Sequence, residues 1–143
     1  MKEFNSIPYM IDYLTAVLPA THPLAKADNL PFEQLRGETF LLFPEHSFIN
    51  DLCIRECRNA GFEPHIAYTG NRGATLIDLV RNGAGITLMM HHSARQENDS
   101  SLAFIPVTPG IYSYISLNYA KEKPLSPQAE SFVRYVKAHK RDF

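Results

Sequence analysis

The side chains best placed to do chemistry sit in two short turns, Pro44-Glu45-His46-Ser47-Phe48 and Gly70-Asn71-Arg72-Gly73. Each turn follows a short apolar run and precedes a stretch with helical spacing. Each therefore offers the unpaired amides and the positive dipole end of a helix start, which together favour an anion. Ser47 and Asn71 can donate or accept hydrogen bonds, and Arg72 can grip a carboxylate or phosphate through two parallel bonds. Phe48 supplies an apolar wall, and His46 adds an imidazole at the same turn. The plainer alternative is that Ser47 and Asn71 only cap helices and Arg72 is solvated. The functional reading requires both turns to open on the same edge of one sheet.

Other chemistries lack their parts. Gly70-Asn71-Arg72-Gly73 is not followed by the lysine and hydroxyl residue of a phosphate loop, and Gly83-Ala84-Gly85 precedes a strand instead of following one. A nucleotide-binding reading fails. Cys53 and Cys57 lie four apart on one helical face, where no second ligand pair accompanies them and disulfide geometry is poor. They read as small core residues, so no metal site is expected. His22 and His65 are isolated, and His91-His92 diverge just past a strand. With no Gly-x-Ser-x-Gly elbow and no cysteine at a helix start, the chain is expected to have no catalytic residues and no cofactor.

The elements that must position the two turns alternate along the chain. Tyr13–Leu18 is a β-prone run stopped by Pro19, and Thr21–Asn29 is a polar loop. Pro31 opens a short helix through Arg36, with Gly37 at its exit. Thr39–Phe43 is a strand. Ser47–Ala60 is a helix with Ser47 as N-cap, Gly61 as its stop, and Ile49, Leu52, Cys53, Cys57 and Ala60 on one face. His65–Thr69 is a strand, Arg72–Asn82 a helix with Leu76, Leu79 and Val80 inward, and Gly85–Met90 a strand apolar enough to be buried on both faces. Such alternation implies parallel strands with helical crossovers, covered on both sides. His91–Gln96 is one helical turn and Glu97–Ser101 a polar loop. Leu102–Val107 and Ile111–Ala120 are extended, and Ser126–Lys140 is a helix with Ala129, Phe132, Val133 and Val136 inward. The fold class is α/β. The Tyr13–Leu18 strand and the last helix have no evident partners among these elements.

Length and composition set the outer limits. A chain of 143 residues suits one compact domain that buries roughly two thirds of its unfolded surface. Apolar residues are 45% and charged residues 20%, which argues against disorder. The formal net charge of -1 gives no positive field for a nucleic-acid backbone. The basic residues near the end, Lys121 to Arg141, read as a solvated helix face. Two cysteines suit a reducing compartment, no apolar run spans a membrane, and Met1-Lys2-Glu3-Phe4-Asn5 lacks a secretory signal pattern. A cytoplasmic protein is expected.

The sequence also resembles a known family. His22-Pro23-Leu24-Ala25, preceded by Leu14–Pro19, is similar to the middle of the effector-binding domain of LysR-type transcriptional regulators. The likeness continues at Leu35-Arg36-Gly37-Glu38-Thr39-Phe40 and Ala60-Gly61-Phe62-Glu63-Pro64. It is strongest at Leu79-Val80-Arg81-Asn82-Gly83-Ala84-Gly85-Ile86-Thr87-Leu88-Met89 and closes with Leu125-Ser126-Pro127-Gln128-Ala129 and Phe132. The resemblance implies a pair of Rossmann-like lobes of the periplasmic-binding-protein type, with a small, often anionic metabolite bound between them. It implies a homo-oligomer, a dimer first, and DNA contact through an N-terminal helix-turn-helix domain.

No such helix-turn-helix precedes Met1, nor do the opening strands of a first lobe. The expectation is therefore a partial effector domain. Its second lobe spans about residues 24–108, and residues 1–23 and 109–143 supply hinge strands and a last helix belonging to the first. On this reading His46, Ser47, Phe48, Asn71, Arg72 and Gly73 face the effector, with Met89, Met90 and His91 near the same mouth. Two other classes compete. A stand-alone solute-binding protein should carry an export signal and both lobes, and a small α/β enzyme would have to work with His46 and Ser47 alone.

Overall fold

The computed structural model describes residues 3–95 and 99–141. In chain order the elements are β1 (Phe4–Pro19), β2 (Leu30–Pro31), a 3-10 turn (Phe32–Leu35), β3 (Thr39–Leu42), α1 (Phe48–Asn59) and β4 (His65–Thr69). There follow α2 (Gly73–Arg81), β5 (Thr87–Met90), α3 (His91–Arg95), β6 (Leu102–Thr108), β7 (Tyr112–Ala120) and α4 (Pro127–Ala138). Gln96 of the expected helical turn and Glu97-Asn98 of the expected loop lie outside the described residues. The chain forms two compact units, residues 13–111 in one and residues 1–12 with 112–143 in the other.

In the larger unit β3 runs parallel to β4, from Thr39 opposite His65 to Leu42 opposite Thr69, and Phe40 bridges in parallel to Ile86 beside β5. The alternating pattern from Thr39 to Met90 is thus a parallel strand–helix unit. The Tyr13–Leu18 run, which has no evident partner in the sequence, is paired on both sides. Leu14–Val17 lie antiparallel to β5, and Thr15–Pro19 antiparallel to β6. Its partners come some 70 to 90 residues later, a distance that local periodicity cannot bridge. β1 also begins earlier than the sequence suggests, at Phe4. Pro8 and the polar Asn5 and Ser6 hide its first half, which pairs only with β7 and so tolerates a proline.

Alternation along the strands builds a core on each face of the sheet. Leu14, Ala16, Leu18, Phe40, Leu42 and Leu88 pack in one cluster with Leu52, Cys53 and Cys57 of α1. Val17, Leu41 and Met89 pack in the other with Leu76, Ile77 and Val80 of α2. β4 departs from the expectation of a fully covered sheet: it is an edge strand, exposed at four of its five residues. Both helices stop on the glycines expected of them. Gly61 (φ +90°) and Gly83 (φ +81°) adopt the left-handed conformation, and Phe62 and Ala84 donate back to the carbonyls of Cys57 and Leu79. The cysteines are buried and unpaired. Burial pushes the Cys57 thiol up to about 12 and raises Cys53 as well, so neither is a nucleophile at neutral pH.

One buried group in this core is unsatisfied. The Thr87 hydroxyl, on a fully buried residue of β5, has no hydrogen-bond partner among the described residues. Thr87→Val keeps the shape and removes the stranded polar atom. It should raise stability by about 1 kcal/mol, read as a higher urea midpoint with unchanged slope.

The smaller unit is thin. Residues 4–12 of β1 pair with β7, the ladder ending where the Lys121 amide donates to the Glu3 carbonyl. α4, capped by Ser126 Oγ accepting from the Ala129 amide, lays Val133 and Val136 against Ile7. Phe132 corrects the expected helix face: it is 56% exposed, because among the described residues the sheet beneath is two strands wide and Val133 and Val136 fill what it offers.

Candidate functional site

Strand direction brings the candidate residues of the larger unit to one rim. With Leu42 opposite Thr69 in a parallel pair, the turns Phe43–Ser47 and Gly70–Arg72 leave the sheet on the same edge. The parallel bridge from Phe40 to Ile86 puts the end of β5, Met90 and His91, on that edge too. β1 runs the other way, and Leu14 opposite Met90 brings Tyr13 there beside His91.

The first turn is held from below. His46 is exposed and left-handed (φ +68°), which reverses the chain between β3 and α1. Ser47 Oγ accepts the Asn50 amide at 3.2 Å, and the Asn50 side chain, fully buried, donates through Nδ2 to the Phe43 carbonyl at 2.8 Å. Asn50 therefore ties strand end to helix start and shapes the turn. The sequence reading missed it, since a polar residue between Ile49 and Leu52 counts as a gap in the apolar stripe. Ser47 Oγ accepts from Asn50 and still has its hydroxyl proton to donate, beside the first helical amides, which have no partner within the helix. Phe48 is two-thirds exposed beside them.

The second turn differs in one respect. Its cap position is Arg72, not Asn71, and no side chain caps α2. Among the described residues the first amides of α2 therefore lack a side-chain cap, and a cationic residue occupies the cap position at the positive end of the helix dipole, where a cation is disfavoured. Arg72 and Asn71 are exposed, and Arg72 forms no ion pair among the described residues. An anion would relieve this arrangement and satisfy the amides together.

At the end of β5 the expected trio separates. Met89 is 2% exposed and packs in the α2-side core, so it is no rim residue; the strand's alternation turns it inward. Met90 is half-buried, and His91 follows it. The His91 ring stacks on Tyr13 at 4.4 Å between centroids, and its Nδ1 lies 3.5 Å from Thr15 Oγ1. Tyr13 and Thr15 are the partners that sequence reasoning did not find, and nothing in their local pattern signals a contact with residue 91.

His22 serves elsewhere: beyond the opposite end of β1, it contacts Glu38 through Nε2 at 2.9 Å and accepts the Leu24 amide at Nδ1. Among the described residues no group of three or more His, Cys, Asp or Glu could hold a metal ion, and no helix is long and apolar enough to cross a membrane.

Comparison with known proteins bears on the fold and the family. The chain is 30% identical over 122 residues to the transcriptional dual regulator GltC of Bacillus subtilis (strain 168), covering 85% of this chain and 41% of that protein. Across three such relatives, all named as transcriptional regulators, it spans 41 to 46% of their length. Its fold matches the CcmR regulatory domain of Synechocystis PCC6803 in complex with 2-PG (TM-score 0.85, 19% identity, 98% of this chain and 68% of that one). It also matches the effector binding domain of QuiR in complex with shikimate (TM-score 0.77, 19% identity, 97% and 66%). With an α/β fold and a family profile matching residues 1–141, the chain belongs to the LysR substrate binding domain family.

Proposed function

We infer that this chain is the effector-sensing part of a LysR-type transcriptional regulator, acting in the cytoplasm as a homo-oligomer and binding a small anionic metabolite. Contact with DNA belongs to a helix-turn-helix domain outside these residues. The effector sits on the rim of residues 13–111, held by His46, Ser47, Phe48, Asn71, Arg72 and Gly73, with Met90 and His91 beside them. That unit corresponds to the second lobe of the family's domain, and residues 1–12 with 112–143 to part of the first.

One observation carries the anionic reading: among the described residues α2 begins without a side-chain cap and with an arginine that forms no ion pair, on the same edge as the capped start of α1. A helix start built for stability alone would carry Ser, Thr, Asp or Asn there. The binding of 2-PG and shikimate by the two structural neighbours supports a small-molecule effector.

The test is a thermal-shift screen of the chain against small carboxylates, amino acids, phosphate and sulfate. An anion at about a hundred times its Kd should stabilise the protein by about 2.7 kcal/mol. Arg72→Asp should abolish that response. It should also raise the stability of the ligand-free chain by about 1 kcal/mol, because aspartate caps the helix and suits its dipole. Stabilisation by neutral aromatic compounds, undiminished in the variant, would sink the anionic reading.

A further inference from the structure

Tyr68 stands where plain alternation along β4 would not put it. In the β3–β4 ladder Phe40 lies opposite Ile66 but Leu41 lies opposite Tyr68, so Ala67 is an extra residue, a bulge. Phe40 and Ile66 pack in the core on the α1 side, and Leu41 in the core on the α2 side. Without the bulge Tyr68, two residues past Ile66, would share its face. With it, Tyr68 joins Leu41 on the α2 side. Its ring then lies along the strand toward the rim. A Cβ on Gly70 would lie 2.7 Å from both Cε1 and Oη of Tyr68, so the phenol end occupies the place of a side chain at position 70.

The Gly70 backbone is not left-handed and continues the ladder, its amide donating to the Leu42 carbonyl at 3.0 Å. Conformation does not call for glycine here; the tyrosine does. The start of α2 is on the same face, because the Phe43 ring, packed in the α2-side core, lies 3.7 Å from the place of a Cβ on Gly73. A ring placed only for packing would be buried. Tyr68 is 41% exposed, and its hydroxyl makes no hydrogen bond among the described residues.

We propose that Tyr68 is a specificity-determining residue of the rim, its hydroxyl bonding to an uncharged hydroxyl group that the effector carries beside its anionic group. The inference rests on the anionic reading of the rim given above. Arg72 and main-chain amides only donate, which suits the charge. A phenol both donates and accepts, which suits a neutral hydroxyl. The bulge aims the side chain, and the missing Cβ of Gly70 fixes where its hydroxyl comes to rest.

Three pairs of anions differing in hydroxylation test this on the 143-residue chain by calorimetric titration: malate against succinate, lactate against propionate, and glycerol phosphate against propyl phosphate. In at least one pair the hydroxylated member should bind about three- to tenfold more tightly, the worth of one neutral hydrogen bond. Tyr68→Phe should erase that preference and leave the other member's affinity unchanged. Gly70→Ala keeps the phenol but drives it from its place, so it should erase the preference too, and the double variant should lose nothing more. Arg72→Asp should instead weaken both members of the pair. If it does not, the anionic reading fails; a preference that survives Tyr68→Phe overturns the role of Tyr68 alone. So does the absence of any preference, or a Tyr68→Phe variant that weakens both members alike.

Discussion

Gly85→Ala is expected to cost about 3 kcal/mol or more and to bring the unit of residues 13–111 close to unfolding. A Cβ at this position would lie 2.4 Å from the Thr39 carbonyl oxygen and 3.1 Å from its carbon. That carbonyl is not free to retreat. It accepts the Ile86 amide at 2.8 Å, and the Ile86 carbonyl accepts the Leu41 amide at 2.8 Å; these bonds join β5 to β3. Relieving the clash means parting two backbones, which breaks the bridge and loosens both core clusters around Leu41 and Leu88. Gly83→Ala, two residues earlier, is the control. Its left-handed φ makes alanine strained, but no atom lies within 4 Å of the added carbon, so the cost should stay near 1 kcal/mol. Urea denaturation of both variants decides the matter. Equal losses would mean that β3 and β5 do not meet at Gly85.

Phe40→Ala should cost about 3 to 5 kcal/mol, the range for deleting a buried phenyl group where the surroundings cannot collapse. Phe40 is fully buried in the centre of β3, held between β4 and the Ile86 bridge, and its neighbours are strands whose hydrogen bonds resist closing the void. Phe48, eight residues on, should behave oppositely. It stands two-thirds exposed at the start of α1, and Phe48→Ala should change stability by no more than about 0.5 kcal/mol. If Phe48 walls the effector site, its loss will be felt in ligand binding alone. A denaturation series on the two variants, followed by the thermal-shift screen on the second, separates packing from recognition.

These variants bear on how the proposed anion site is kept. The rim turns hang from β3, β4 and β5, whose inner residues are mostly apolar, while His46, Asn71 and Arg72 on the turns are polar and exposed. Asn50 is the link between the two. Its buried amide holds the Phe43 carbonyl, so the position of Ser47 and Phe48 depends on a residue that touches no solvent.

Much of this arrangement was legible before any coordinates. The helices at Phe48–Asn59 and Gly73–Arg81 were marked by apolar spacing, by Ser47 at one start and by Gly61 and Gly83 at the stops, all of them local signals that act within one or two turns. The shared edge of the two turns followed from the strand-to-helix order, because parallel strands send their ends to one side. What periodicity could not supply was pairing at long range. Tyr13–Leu18 became a central strand only when β5 and β6 closed on it, and the Tyr13–His91 stack exists because Leu14 lies opposite Met90. Met89 turned from rim to core for the same reason, a side-chain direction set by which neighbours its strand acquires. Phe132 turned from core to surface because, among the described residues, the ribbon beneath α4 has two strands to cover it. Composition and short-range pattern thus determined the elements and their order. The tertiary structure decided which faces they bury, since burial depends on the width and partners of the sheet and no single segment carries that information.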